Sequence, residues 1–327
     1  MANPSLLDRY SGSLVGLACG DAIGTSASFW PRSFFSPALA TVPDSLLLEL
    51  KQWPDGTAMA FCLAVSLLTV KKINVYDHLT RLVNWWKQGH LSTEGTSLDI
   101  GRSAEQALHD FEDRGLAFSG AADTSTAANR ALMRLAPVAL YYYPATDKVI
   151  QYAKAGDSQQ QPSQQAMDCC RLLAHILVQA LSGKSHTQLL DGTAIALSDA
   201  KVAALARGEY KHKNVSEIAS TPRCVDGLEA ALWAFHKSSS FESAVGMAAS
   251  LGDDADTTAA IVGQIAGAHY GLEAIPAHWR QSLFRTNEIA ALAKCLYDAA
   301  SMHHPLTILK YSFLAKFSGS ANSACAT

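Results

Sequence analysis

The sequence predicts an all-α protein, folded as one compact multi-helix domain, and three observations carry that prediction. Apolar residues recur at i, i+3, i+4 and i+7 in nearly every patterned segment, strict period-two alternation is hard to find, and two segments repeat glycine every fourth residue. At 327 residues the chain is long enough for a large core. With 49% hydrophobic residues, 17% charged and a net charge of -3, its composition is that of an ordinary soluble globular protein.

Taken in order, the first predicted helix carries Gly12, Gly16, Gly20 and Gly24 on one face. Glycine is a poor helix former, so this stripe predicts a central helix that another helix approaches closely. Thr57 to Val70 is the longest apolar stretch; it is too short to span a bilayer and reads as a buried core helix. Helical spacing then runs over Leu79 to Trp86, Gly101 to Phe111, Asn129 to Tyr141, Met167 to Leu181, Gly227 to Phe235 and Asn287 to Tyr297. A second glycine stripe, at Gly263, Gly267 and Gly271, marks a second tightly packed central helix. The polar run Ser158 to Gln165 reads as a surface loop. We expect one domain over residues 1–317 and a flexible tail from Ser318 to Thr327.

Several function classes are disfavoured. Lys71-Lys72 and Lys211-His-Lys213 are too short to track a phosphate backbone, so a nucleic-acid platform is not expected. The first ten residues lack a basic region followed by an apolar stretch, and a cytoplasmic protein without a membrane segment is expected. The seven cysteines form no Cys-x-x-Cys pair and read as reduced, mostly buried thiols; for Cys169-Cys170 packing outweighs redox work. No His-x-x-x-His, Gly-x-Ser-x-Gly or P-loop spacing occurs. His303-His304 reads as a surface turn, and Trp85 and Trp86 as core, with Trp53 alone placed to stack on a ligand base. Nothing in the sequence calls for an assembly larger than a monomer.

The most informative run is Gly252 to Ala260, where Asp253, Asp254 and Asp256 crowd together just ahead of the second glycine-striped helix. Carboxylates this close repel one another and are costly to desolvate, so a fold that keeps them together commonly supplies a cation. With Thr257 adding a hydroxyl and no His or Cys nearby, the donors are all oxygen, which suits Mg²⁺ or Mn²⁺. The alternative is a helix N-terminus at which Asp254 or Asp256 caps free N–H groups. Asp21 carries a similar choice: it orients the metal site from a loop, or it caps a helix.

Together these segments resemble the ADP-ribosylglycohydrolase family over nearly the whole chain. Gly16-Leu-Ala-Cys-Gly-Asp-Ala-Ile-Gly24 is similar to the family's opening helix and loop, and Trp53-Pro-Asp-Gly-Thr-Ala-Met59 stands where its Trp-Thr-Asp-Asp-Thr-x-Met motif belongs. Leu228 to Phe235, Ser240 to Val245 and Leu251 to Gly271 match its C-terminal signature. Leu98-Asp-Ile-Gly101 and Asn129 to Pro137 are weaker matches to its Phe-Asp-Ile-Gly and Asn-Gly-x-x-Met-Arg-x-x-Pro elements. The resemblance implies an all-α domain that binds ADP-ribose over a pair of divalent ions, and a hydrolase that removes ADP-ribose from a protein side chain or small acceptor. It implies metal ligation by Asp55, Asp254, Asp256 and Thr257, with Asp55 and Asp256 catalytic. Substrate contacts are implied for Asp21, Asp99, Gly101, Asn129 and Arg130.

The sequence departs from that pattern at four places. Pro54 and Gly56 replace a ligating hydroxyl and a ligating carboxylate, which weakens the case for a second ion. Ser28 stands where an acidic residue is usual, and Arg130 replaces a glycine beside the groove, blocking it or gripping a phosphate. The usual Thr-His element has no counterpart near Ser158 to Ser163. These departures point to natural divergence, toward a single ion or toward lost hydrolysis. Three readings follow: a Mg²⁺- or Mn²⁺-dependent hydrolase, a protein that binds ADP-ribose or an ADP-ribosylated partner without cleaving it, or a partner-binding descendant with an empty cleft.

Overall fold

A computed structural model describes residues 3–28, 54–92, 95, 100, 102–115, 124–153 and 163–302. Among them no residue is in a strand. The chain enters through α1 (Leu6–Ser28), then α2 (Asp55–Val70), α3 (Val75–Gln88) and α4 (Arg102–Arg114). The middle comprises α5 (Thr124–Met133), α6 (Ala136–Tyr142), α7 (Thr146–Ala153), α8 (Gln164–Leu181), α9 (His186–Leu189) and α10 (Ala200–Ala206). The last third holds α11 (Cys224–Lys237), α12 (Phe241–Ala249), α13 (Ala255–Tyr270), α14 (Ala277–Ser282) and α15 (Thr286–Met302).

The two glycine stripes meet. α1 and α13 run antiparallel as the central pair, with Gly12 against the Gly267 carbonyl, Gly16 against Gly263, Gly20 against Ala259 and Gly24 against Ala255. A Cβ at any of these four glycines would collide with backbone of the facing helix, so the small residues allow the axes to approach closely. Both helices are buried on nearly every side, as expected of helices with no solvent-facing stripe. Around them pack α12 and α11 on α13, α15 and α6 on α1, and α8 across both. α2 lies buried between α1, α3 and α6, whereas α3 is amphipathic, hiding Leu79, Leu82 and Trp85 and supporting α4 outside.

Local chemistry sets several boundaries. Asn74 caps α3 by accepting from Asp77 N–H, Ser163 caps α8 through Ala166 N–H, and Asp199 caps α10 through Lys201 and Val202 N–H. Gly89 closes α3 with φ of 62°. The six described cysteines are buried thiols, and Trp85 is core, as expected. Trp86 sits edge-on to His109 at 4.5 Å between ring centroids, so it is an interhelix contact. No described helix is long and apolar enough to cross a membrane.

Three expectations need correction. The periodic run Asn129 to Tyr141 is two helices, because Pro137 has no N–H to continue the ladder and the chain breaks at Arg134-Leu135. No loop follows the opening glycines: α1 continues unbroken past Asp21 to Ser28, whose hydroxyl donates to the Thr25 carbonyl at 2.8 Å. Gly271 lies beyond the second stripe's helix, ending α13 with φ of 84°. Trp53, Asp99, Gly101, the 158–162 part of the polar run, His303-His304 and the 318–327 tail lie outside the described residues.

Candidate active site

At one end of the central pair, α1, α2 and α13 bring acidic side chains from distant parts of the chain together, with α5 alongside them. Asp21 comes from within α1, Asp55 is the first residue of α2, and Asp254 and Asp256 stand at the start of α13. Asp21 is 1% exposed, and its Oδ2 accepts from the Thr57 backbone N–H at 2.7 Å and the Thr57 hydroxyl at 2.6 Å. This carboxylate therefore caps α2 from across the fold, fixing the turn that presents Asp55. Burial holds the Asp21 carboxyl well above the usual carboxylate range, and repulsion from Asp55 and Asp256 adds to the rise against the Thr57 hydrogen bonds.

Asp254 occupies the N-cap position of α13, yet its side chain caps no backbone N–H of that helix. It accepts instead from Asn129 Nδ2 and, at 3.3 Å, from the Thr257 hydroxyl, while its own backbone N–H donates to Ser220 O at 3.0 Å. Desolvation first and Asp256 second push the Asp254 carboxyl up to about 7, against the pull of Asn129, Thr257 and Arg130. A helix cap would give a carboxylate a stabilising role and a low pKa; this one is held up by its surroundings. Asp253, the remaining carboxylate of the run, is exposed in the turn with φ of 51°, so the acidic run supplies two members of the cluster rather than three.

Asn129 is 2% exposed, and its amide rests directly on Gly227 of α11, where a Cβ would collide with it. Arg130 is close enough to pull on Asp254. Asp21, Asp55, Asn129, Arg130, Asp254, Asp256 and Thr257, each expected at the site, thus converge. The sequence reading missed Met133 and Gly227. The Met133 sulfur lies 3.8 Å from the Thr257 hydroxyl and 3.0 Å from where a Cβ on Gly56 would stand. Gly227 had one visible signal, a glycine inside a helix and just ahead of the good helix formers Leu228, Glu229 and Ala230, at a cost of about 1 kcal/mol.

The space beside Gly56 is occupied. A Cβ there would stand 3.1 Å from each Asp21 carboxylate oxygen and against Met133, so Asp21 fills the room that a larger residue would need. Among the described residues no three His, Cys, Asp or Glu side chains converge as a ready-made metal cage. The donor chemistry nevertheless fits a hard divalent cation. Asp55, Asp254, Asp256 and Thr257 offer only oxygen, and burial first, then repulsion from Asp256, disfavours the charged form of Asp254.

Residues 2–305 match the model of the ADP-ribosylglycohydrolase family. The chain is 35% identical over 305 residues to ADP-ribosylarginine hydrolase Tri1 of Pseudomonas putida, covering 93% of this chain and 82% of that one. It is 26% identical over 290 residues to the ADP-ribosyl-dinitrogen reductase glycohydrolase of Rhodospirillum rubrum, covering 86% and 92% respectively. A solved structure described as an ADP-ribosylglycohydrolase-related protein complex aligns with a TM-score of 0.74 at 30% identity, over 90% of this chain and 99% of that one. The carboxylate-lined end of this helical fold therefore belongs to a member of the ADP-ribosylglycohydrolase family of hydrolases.

Proposed function

We propose that this protein is a Mg²⁺- or Mn²⁺-dependent hydrolase that removes ADP-ribose from modified arginine side chains of a target protein. The observation that carries the reading is the convergence of Asp21, Asp55, Asp254 and Asp256, drawn from three helices, at one end of the α1–α13 pair. Arginine is favoured as acceptor by the higher identity to the relative named as an ADP-ribosylarginine hydrolase. Asp55, Asp254, Asp256 and Thr257 would hold the ion, which when bound supplies positive charge and Lewis acidity.

The reaction breaks the bond between the ribose anomeric carbon and the arginine nitrogen. Water contributes hydroxide to that carbon and a proton to the departing guanidine. Positive charge builds on the sugar as the bond lengthens, and Asp55 and Asp256 are the carboxylates we assign to stabilise it. Asp254, whose charged form burial and repulsion from Asp256 disfavour, would be held ionised by the cation it ligates. Arg130 would grip a phosphate of ADP-ribose, Asp21 fixes Asp55 through Thr57, and Asp99 and Gly101 are the further substrate contacts that the family resemblance assigns. We place the enzyme in the cytoplasm, in keeping with the buried thiols of the described residues, and propose that it acts as a monomer.

A second reading is favoured by Pro54 and Gly56: the site binds ADP-ribose over a single ion and cleaves slowly or not at all. ADP-ribosyl-arginine and ADP-ribosyl-serine peptides, incubated with and without Mn²⁺, separate the two. Metal-dependent release of ADP-ribose from the arginine peptide is the expected result. Binding of ADP-ribose without release establishes the second reading, and absence of both binding and release overturns both.

A further inference from the structure

The break between α5 and α6 is bridged by one side chain of α13. Pro137 has no N–H, so the Met133 carbonyl lacks the donor that an unbroken helix would supply. Gln264 is 0% exposed, and its carboxamide enters the gap. Its Nε2 donates to Met133 O at 2.8 Å, to Leu132 O at 3.1 Å and to Ala260 O of its own helix at 3.3 Å; its Oε1 accepts from Ala136 N–H at 2.8 Å. Met133 O and the Ala136 N–H, on the two sides of the break, are thereby joined through a side chain rather than through the helix ladder, while Leu132 O, which already accepts from Leu135 N–H at 3.3 Å, gains a second donor.

The segment held in this way is the one that touches both halves of the carboxylate cluster. Asn129 donates to Asp254, and the Met133 sulfur lies against the Thr257 hydroxyl and 3.0 Å from where a Cβ on Gly56 would stand. Gln264 lies on the same helix as Asp254, Asp256 and Thr257, about 10 Å beyond Thr257 at 1.5 Å per residue. α13 therefore carries the carboxylates at its start and, further along, the clamp that fixes their neighbours. A clamp with a purely structural task could sit anywhere along the break; this one fixes the last residues of α5, where Met133 bridges the N-terminal and C-terminal motifs.

We propose that Gln264 is a positioning residue of the active site, setting Asn129 and Met133 against Asp254 and Thr257 through the α5 terminus. The proposal rests on the carboxylate cluster being the ADP-ribose site. Gln264→Leu removes the four hydrogen bonds at similar volume, and Ile265→Ala, a fully buried neighbour on α13 whose side chain can make no hydrogen bond across the break, controls for lost stability. Both variants are compared with the full-length wild-type chain by amide hydrogen exchange and by calorimetric titration with ADP-ribose.

Gln264→Leu is expected to speed exchange across Asn129–Met133 and to weaken ADP-ribose binding by about tenfold, a typical loss when a supporting partner of a site is removed. Ile265→Ala is expected to lower the melting temperature while leaving both readouts near wild type. If the two variants match each other in exchange and in affinity, the proposal is overturned. If Gln264→Leu does not fold, Gln264→Glu takes its place in the same exchange measurement, because it keeps an acceptor for Ala136 N–H and loses the donors to Leu132 and Met133. Wild-type protein that binds no ADP-ribose would count against the functional reading, while exchange at α5 would still decide the role of Gln264.

Discussion

At its C-terminal end α13 gives its last carbonyls to a cation; at its N-terminal end it meets carboxylates that repel one another. The C-terminal end is settled by Arg9, 4% exposed, which donates to Ala268 O at 3.0 Å and His269 O at 2.6 Å and also reaches Ala180 O of α8 at 3.2 Å. A guanidinium there satisfies orphan carbonyls and complements the helix dipole twice over. The N-terminal end gathers Asp254 and Asp256 with Asp21 beside them, and burial and mutual repulsion raise two of those carboxyls. One end is arranged for stability. The other stores electrostatic strain that a cation would relieve, and such stored strain marks a functional end.

The largest effect expected from breaking this contrast is at the stable end. Arg9→Met keeps the side-chain stem but abandons three buried carbonyls, and should cost about 3 kcal/mol in denaturant unfolding while leaving metal and ADP-ribose affinity unchanged. A loss of ligand affinity in that variant would show that the two ends are not separable.

At the strained end, Pro54→Thr combined with Gly56→Asp adds a hydroxyl and a carboxylate to the ligand set, and should raise Mg²⁺ or Mn²⁺ affinity roughly tenfold by titration. The new carboxylate needs room now taken by Asp21 and Met133, so the gain requires Asp21 to move. An unchanged affinity would mean that Asp21 holds its place and that the site works without the substituted positions.

The smallest effect concerns pH. His269, in the last turn of α13, is held down to about 4 by burial, with His186 and Arg9 adding repulsion. An unfolded histidine titrates near its ordinary value of 6.5, so between 6.5 and about 4 the unfolded chain binds more protons than the folded one. Stability is therefore full above 6.5 and declines as the pH falls toward 4. His269→Asn should flatten that acid-side slope in melting temperature measured from pH 7 to 4.5, and an unaltered slope would assign it elsewhere.

Much of this arrangement was legible in the sequence. Glycine every fourth residue at Gly12–Gly24 and Gly263–Gly267 announced a close helix pair, because only lost side chains let backbones approach so nearly. Asp254, Asp256 and Thr257 were legible because clustered acids are rare without a task. The role of Asp21 was less so: its partner Thr57 is remote in sequence, and nothing local shows that a carboxylate within one helix caps another. Pro137 signalled a break inside a continuous apolar period, yet the residue that mends it, Gln264, is a lone polar side chain in a small-residue helix. Asp253 was overcounted because a run of acids does not reveal which of them a left-handed turn leaves in solvent.

The central claim is that the strained carboxylate end of α13 binds a divalent cation on which ADP-ribose recognition depends. Its most direct test is calorimetric titration of Mn²⁺ into wild type and Asp256→Ala, each with and without ADP-ribose. Wild type is expected to bind metal stoichiometrically and to bind ADP-ribose more tightly in its presence, and the variant to lose both. Unchanged metal content in Asp256→Ala would contradict it.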